Sequence, residues 1–465
     1  MIRPMSQMGH HNKYMDIINP ETTYLLLSEF KHRFSIDKKP LQVNFRELVP
    51  QLSKGERFTH LIHPYPAKLI CHIPYFFLQS DYCCPKDGIV LDPFCGSGTV
   101  LLEAILSGRI AYGADANPLA RKISRIKTTA IDEVYLYRIL DELLLEISKD
   151  KEEKFSCTDD SLFWYPRKTA VTLNKIINAI QGIKNPQILE FFEICISSII
   201  KKVSYADPRI SVPVRVNADK FSPESHLYKN AVKHLEDIAN LDVLELFTST
   251  CKSNISRMST LCDVRDGATA IICSDDARKL TLSIGNNKLI ENETIDLILT
   301  SPPYAGAQKY IRASSLNLRW LRIADNKEIR NLKRQNIGRE DYRKSEISIP
   351  KTGIYNADLL LDVLFSEGKY ERAHIVANYL NEMKIAIDES IRVLKCGGYF
   401  IMVIGNNTVC GHEFDTQAYL TEYMISKGLS LEFKLIDDIK SYGLMTKRNK
   451  TASRISCEYV LVLRK

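Results

Sequence analysis

The sequence predicts an α/β protein built on a doubly wound, mostly parallel sheet, and three observations carry that prediction. Two strand-turn-helix units stand in tandem near residues 89–123. The same alternation returns after residue 270, and each short apolar run ends in Gly, Asp or Pro chemistry. Units of this kind pack helices on both faces of a parallel sheet and leave their strand ends free to carry a site.

Taken in order, the first unit is Ile89-Val90-Leu91, the turn Asp92-Pro93-Phe94-Cys95-Gly96-Ser97-Gly98-Thr99, and an apolar helical run through Leu106. The second strand, Ile110-Ala111-Tyr112-Gly113-Ala114, ends at Asp115 and leads to a helix from Pro118. The third, Ala270-Ile271-Ile272-Cys273, meets Ser274-Asp275-Asp276. The fourth, Ile295-Asp296-Leu297-Ile298-Leu299, meets Thr300-Ser301-Pro302-Pro303-Tyr304. Leu380, Met383, Ile387, Ile391 and Leu394 recur at helical steps, and Gly397-Gly398 is expected to close that helix before a strand over 399–404. A last strand is expected over 458–463.

Between about 135 and 265 the alternation lapses into long helical patterns, such as Ile188, Phe192, Cys195, Ile196 and Ile199, broken by a Pro-containing segment from Asp207 to Val216. The expected organisation is a lead-in or cap of helix and loop over 1–57 and a cofactor-binding part over 58–134. A helical insertion over 135–265 follows, as a candidate for target recognition, and then a catalytic part over 266–465.

Composition excludes several classes. Hydrophobic residues make up 45% of the 465 and charged residues 26%, with no window of the roughly 18 apolar residues a membrane span needs. The first sixteen residues lack the apolar core of a secretory signal, so a cytoplasmic protein is expected. Twelve scattered cysteines without paired C-x₂-C spacing predict reduced thiols and no metal.

In open α/β sheets ligands bind beyond the carboxyl ends of the strands. Gly96 and Gly98 let backbone approach a ligand just before a helix N-terminus, with Pro93, Phe94 and Thr99 around them. Asp92 is an acceptor where a pyrophosphate would want donors, so a cationic or amino-bearing ligand fits better. Asp115, with Asn117 behind it, lies near the offset from which an acid takes ribose hydroxyls. Asp275 or Asp276 can meet an amino-bearing ring. Ribose, amino group and positive centre together describe S-adenosyl-L-methionine.

Ser301-Pro302-Pro303-Tyr304 is the sharpest signal. Two prolines remove two donors and fix two φ angles, leaving stiff, free carbonyls. Such a loop can hold an exocyclic amine by its hydrogens, between the Ser301 hydroxyl and a prolyl carbonyl, while Tyr304 stacks on the ring. Pulling both hydrogens draws the nitrogen toward a tetrahedral shape and frees its lone pair, so catalysis is orientation and electrostatics without a metal.

The glycine turn over 92–99 together with Thr300-Ser301-Pro302-Pro303-Tyr304 resembles the amino-group DNA methyltransferases, which modify cytosine N4 or adenine N6. Phe58-Thr59-His60-Leu61-Ile62-His63-Pro64-Tyr65-Pro66-Ala67-Lys68 is similar to their segment over the methionine moiety, which implies cofactor contacts for His63, Pro64 and Lys68. The resemblance covers roughly 58–130 and 270–465. It implies a Rossmann-like class I methyltransferase fold, double-stranded DNA as partner, and, as is common in the family, a cognate restriction endonuclease acting on the same site. Serine before Pro-Pro-Tyr is similar to the cytosine-N4 enzymes. Adenine N6 remains an alternative, as does guanine N2 of an RNA.

The segment 305–355 carries 12 Lys and Arg against 5 Asp and Glu. A basic stretch tied to the catalytic loop suits a phosphate backbone, with Lys309, Arg312, Arg319, Arg334, Arg339 and Arg343 as candidate contacts. Arg209 and Arg215 in the insertion are a second set. The target amine lies inside the duplex, so its base must be flipped out.

Overall fold

The computed structural model describes residues 19–52, 57–66, 68–149, 159–263, 267–305, 309–348, 351–439 and 456–465. Ala67, and the parts 306–308 and 349–350 of the basic segment, lie outside the described residues.

The chain opens with α1 (Pro20–Asp37), capped by Asn19, whose side chain accepts from the Thr22 amide, and started by Pro20 at its first position. Leu27, Phe30 and Phe34 lie buried along it. Then come β1 (Leu41–Val43), α2 (Phe45–Leu48) and α3 (His72–Leu78). The first predicted unit is β2 (Ile89–Asp92) and α4 (Thr99–Leu106); the second is β3 (Ile110–Ala114) and α5 (Pro118–Lys127).

The insertion is helical: α6 (Glu133–Lys149), α7 (Asp159–Trp164), α8 (Arg167–Gln181), α9 (Pro186–Ile200), α10 (His226–Asn240) and α11 (Val243–Cys262). Next follow β4 (Ala270–Ser274), β5 (Ile295–Thr300), and the helices α12 (Tyr310–Ala313), α13 (Ser315–Trp320), α14 (Asn326–Gln335), α15 (Tyr355–Ser366) and α16 (Tyr370–Val393). The chain ends with β6 (Leu394–Ile404), the small hairpin β7 (Asn407–Val409) and β8 (His412–Phe414), α17 (Thr416–Ser426), β9 (Ser430–Asp438) and β10 (Cys457–Arg464).

Eight strands form one sheet in the order β1-β9-β10-β6-β5-β2-β3-β4, parallel except that β10 runs against both neighbours. The chain winds outward from β2 to β4 and returns to β5 on the other side, so the order reverses between β2 and β5. That is the point where such sheets open a crevice. Alternate residues feed the two faces: Val90, Leu299, Ile401 and Val460 enter one core, and Leu91, Ile298, Phe400 and Leu461 the other.

A third core joins the insertion to its host. Phe191, Phe192, Phe247 and Met258 pack with Leu119 and Ile123 of α5 and with Ile311, Leu316 and Leu318 beyond the loop that follows β5. The expected boundaries at 135 and 265 therefore cut through continuous packing.

Two expectations are corrected. The lead-in over 1–57 is more than helix and loop, because β1 adds a parallel edge strand beside β9, pairing Leu41 with Leu435. Gly397-Gly398 do not close the preceding helix, which stops at Val393. They lie inside β6, where Gly397 has φ +79° and a Cβ on Gly398 would sit 2.9 Å from the Asp296 carbonyl oxygen. Positive φ and close approach of a neighbouring strand are strand reasons for glycine as much as helix-ending ones. Among the described residues no helix is long and apolar enough to cross a membrane.

Candidate active site

The turn after β2 is shaped by its glycines. Gly96 and Gly98 have φ +51° and +76°, and a Cβ on Gly98 would lie 2.9 Å from the Cα of Ser124 on α5. The Gly96 amide donates to Asp115 Oδ2 at 2.9 Å, and the Asn117 amide to Asp115 Oδ1 at 2.7 Å. Burial pushes the Asp115 pKa up against the pull of these two donors. Asn117 Nδ2 donates to the hydroxyls of Tyr65 and Ser314, both at 3.0 Å. The end of β3 is thus tied to both chain segments that overhang it.

Across the point of strand reversal, Thr300 Oγ1 donates to Asp92 Oδ1 at 2.6 Å, and the Phe94 amide reaches the same oxygen at 3.0 Å. Burial raises the Asp92 pKa to about 7 in spite of these donors. The loop from β5 is pinned at its far end too. The Tyr304 hydroxyl donates to Glu458 Oε1 at 2.9 Å, and Asn407 Nδ2 to the Ala305 carbonyl at 2.7 Å. Between these anchors the Ser301 hydroxyl makes no hydrogen bond among the described residues.

These segments enclose a cavity with about 680 Å³ of empty space, part of it open to solvent. One wall is Pro93, Phe94, Gly96, Asp115 and Asn117; the other is Ser301 and Pro303; Asp276 closes one end. Asp92, Gly98, Thr99 and Pro302 stand behind the surface, buried, and Tyr304 packs partly buried against the core. Asp275 is exposed outside the cavity, in the field of Arg121. His63, Pro64 and Lys68 do not line it either; they border a separate cleft. Of the described residues in the segment expected over the cofactor, Tyr65 lines the cavity.

Sequence reasoning missed Tyr65, Tyr310 and the end of α14, where Gln335, Asn336 and Ile337 form the remaining wall. That wall is held by Arg278, which forks onto Asp276 and donates to the Gln335 carbonyl at 2.9 Å. Thr300 and Glu458 were missed as partners. An aromatic residue following the loop after β5 could have flagged Tyr310, and Tyr65 and Thr300 stand inside the quoted motifs; nothing in the spacing marks the others.

The basic candidates divide by environment. Lys309 pairs with Glu340 at 3.0 Å, Arg319 with Asp160 at 2.6 Å and Arg339 with Glu346 at 3.3 Å. Arg209 is held by both oxygens of Asp207, and Arg215 lies over the rings of Phe163 and Tyr205. Arg312, Arg334 and Arg343 are exposed. Elsewhere, His60, Cys71 and Glu103 bring possible metal-ligand atoms within 4.8 Å of one another, but the Glu103 carboxylate is bonded there to His60 and Arg57.

Residues 56–125 match a protein family described as DNA methylase. The chain is similar to the Type II methyltransferase M.MvaI of Kocuria varians, 26% identical over 421 residues that span 84% of this chain and 87% of the relative. It is 24% identical over 400 residues to the Type II methyltransferase M.MjaII of Methanocaldococcus jannaschii, covering 65% of this chain and 72% of that one. To M.BsoBI of Geobacillus stearothermophilus it is 26% identical over 334 residues, 67% and 61% of the two. These matches support an amino-group DNA methyltransferase family of the restriction-modification type.

The methyltransferase uses S-adenosylmethionine as methyl donor. The cavity fits that molecule: a glycine turn with no side chain in the way, carboxylates Asp115 and Asp276 along it, and the aromatic rings of Tyr65, Phe94 and Tyr310 around it. When bound, the cofactor supplies an electrophilic methyl on a sulfonium. The protein's own part is to bind, orient and exclude water; the tie from Thr300 to Asp92 holds the two walls in register for that, and the tie from Tyr304 to Glu458 anchors the far end of the β5 loop to β10.

Proposed function

We propose that the methyltransferase modifies the exocyclic N4 amine of a cytosine flipped out of duplex DNA, protecting a site read by a cognate restriction endonuclease. The observation that carries this reading is the Ser301 hydroxyl, without a hydrogen-bond partner among the described residues, set in the cavity wall beside Pro303 and one residue beyond the Thr300–Asp92 bond. A hydroxyl and a prolyl carbonyl accept the two amine hydrogens, which loosens the lone pair from the ring and turns it toward the methyl donor. Tyr304 is the stacking partner of the base, its hydroxyl tied to Glu458 so that only the ring is left to the target. Serine at the head of the loop, rather than Asp or Asn, supports cytosine over adenine. In this reading Asp115 takes the ribose, Asp276 and its neighbours the adenine end, and the basic segment 305–355 with the insertion contacts the DNA.

The test is to incubate the purified protein with unmethylated plasmid and S-adenosylmethionine, digest to nucleosides and identify the product by mass spectrometry. N4-methylcytosine is the expected result. N6-methyladenine would overturn the choice of base, and product from tRNA but not from plasmid would overturn the choice of nucleic acid.

A further inference from the structure

The cleft that takes His63, Pro64 and Lys68 away from the cofactor cavity has its own chemistry. It lies where residues 61–64 and Lys68 meet the insertion, between the end of α9 and the middle of α11, and holds about 650 Å³ of empty space, part of it open. Its lining carries three cationic side chains, Lys68, Lys202 and Arg257, the imidazole of His63, and hydroxyls that include Ser198, Thr250 and Ser253, with no carboxylate among the described residues.

Several of these groups are set in place. Arg257 Nη1 donates to Asn254 Oδ1 at 2.7 Å, and Asn254 Nδ2 in turn to the Ile62 carbonyl at 3.1 Å. Lys68 Nζ donates to the His60 carbonyl at 2.9 Å. His63 is 5% exposed; its Nε2 meets Ser197 Oγ at 3.1 Å, while its Nδ1 has no hydrogen-bond partner among the described residues. Burial and the charges of Lys68, Lys127 and Lys202 hold its pKa down to about 3, so the imidazole is neutral. The helix dipole of α9 would favour one cation at its C-terminus, Lys202. It does not account for Arg257 standing with Lys202 in a cleft whose described lining has no carboxylate, nor for an imidazole nitrogen with no partner among the described residues beside them, since buried polar atoms in folded proteins nearly always find partners.

We propose that this cleft is a phosphate-binding subsite that takes a backbone phosphate of the DNA substrate. The chemistry asks for a compact oxyanion with several acceptor lone pairs, which Lys202, Arg257, Lys68 and the hydroxyls can surround. The place is apt. One residue separates His63 in the cleft from Tyr65 in the cofactor cavity. Ser197, which bonds His63, also receives Asn317 of α13 at 2.8 Å, and α13 begins beside Ser314, the partner of Asn117. A strand held here is positioned against the same elements that frame the reaction centre. This rests on the reading of the chain as acting on DNA, and it does not depend on which base is modified.

The test uses the full chain with Lys202→Ala, Arg257→Gln and the double variant, each checked for an unchanged melting temperature, since both side chains lie at the surface of the cleft. The expected result is weaker binding to duplex DNA, with the dependence of log K on log[salt] shallower by about one for each phosphate that the variant no longer neutralises. Affinity for S-adenosylmethionine, measured by calorimetry without DNA, stays at the wild-type value. An unchanged salt slope in folded variants would overturn the proposal. So would a loss of S-adenosylmethionine affinity, which would give the cleft to the cofactor's carboxylate. Inorganic phosphate is the third probe: stabilisation of wild type but not of the double variant, with DNA binding unaltered, would make it a site for a free anion and overturn the DNA assignment. A wild-type chain that binds no duplex at all would instead remove the reading on which the proposal stands.

Discussion

The two walls of the cavity are built on opposite plans. On the wall from β2 and β3, the polar groups are committed to the protein: both Asp115 oxygens accept backbone amides, Asn117 bonds two hydroxyls, and the Ser124 hydroxyl donates to the Gly96 carbonyl at 2.8 Å. On the wall from β5, the bonds lie at the ends of the loop, on Thr300, Tyr304 and Ala305, and among the described residues the middle keeps its hydroxyl and prolyl carbonyls uncommitted. The first wall is preorganised for a ligand of constant shape. The second is a fixed frame around uncommitted groups; in the proposed reading these are kept for the target base, and binding energy placed there can be realised in the transition state.

The largest effect should come from removing the uncommitted hydroxyl. Ser301→Ala is expected to lower turnover by about 10²–10³-fold, the range for removal of one preorganised polar group at a reacting centre, while S-adenosylmethionine affinity stays within about twofold. Tyr304→Ala should act in the same direction. A Tyr304→Ala enzyme with wild-type turnover would break the assignment of this wall to the target. Asp115→Ala tests the other wall and should show the reverse pattern. Loss of a charged acceptor is expected to weaken S-adenosylmethionine binding by about tenfold or more in calorimetry, with turnover at saturation little changed.

Gly98→Ala probes the rigidity of the first wall without touching a ligand group. The new Cβ would meet the Ser124 backbone at 2.9 Å, at φ +76°. Strain of that kind costs roughly 1–3 kcal/mol, read as a lower melting temperature. Gly96→Ala, whose Cβ would find its nearest atom at 3.8 Å, should cost less in stability because only the dihedral is strained.

The joint between the walls has a pH signature. Asp92 is buried with its pKa raised from 3.8 to about 7. A raised folded-state pKa means that the unfolded chain gives up its proton first, so the contribution is fully present below about pH 4 and is lost as pH rises through about 7. Stability of the wild type should therefore carry a falling component between these limits. Asp92→Asn, which keeps an acceptor for Thr300, should flatten it in melting curves taken across that range. An identical pH profile in the variant would show that the joint is not held by a protonated Asp92.

How much of this is legible in the sequence follows from the physics of each part. β2, β3, β4, β5 and the turns after them are local events, a short apolar run ended by Gly, Asp or Pro, and the pattern marks each of them closely. β1 is not marked, because three residues make a strand only when β9, far along the chain, offers an edge. Within the site, Pro93, Phe94, Asp115, Asp276, Ser301 and Pro303 beside the strand ends line the cavity, while Asp92 and Pro302 stand behind it and Asp275 outside. Those whose place depends on tertiary packing do not announce themselves: Glu458 meets Tyr304 from 154 residues away, and Tyr65 meets Asn117 from 52. His63 and Lys68 show the converse, since they stand in the quoted motif but border the separate cleft. A motif fixes which segment is near the cofactor, but the side of the segment each residue takes is decided by α9 and α11, whose packing the motif does not contain.

The smallest predicted effects separate the basic residues that the sequence treats alike, and they extend the distinction between committed and uncommitted groups to the proposed DNA contacts. Arg312 and Arg334 are exposed with no ion pair among the described residues, whereas Arg319 and Arg209 already hold Asp160 and Asp207. An arginine released to a phosphate must first give up its carboxylate, and that carboxylate then faces the DNA as a like charge, so much of the gain is cancelled. Arg312→Ala and Arg334→Ala should each weaken duplex binding about equally for all sequences and lower the salt slope by about one, while Arg209→Ala should leave the slope near the wild-type value. Equal losses for all three would mean that the Asp207 pair opens on binding, and that the intramolecular bonds seen on this face do not mark which cations are reserved for structure.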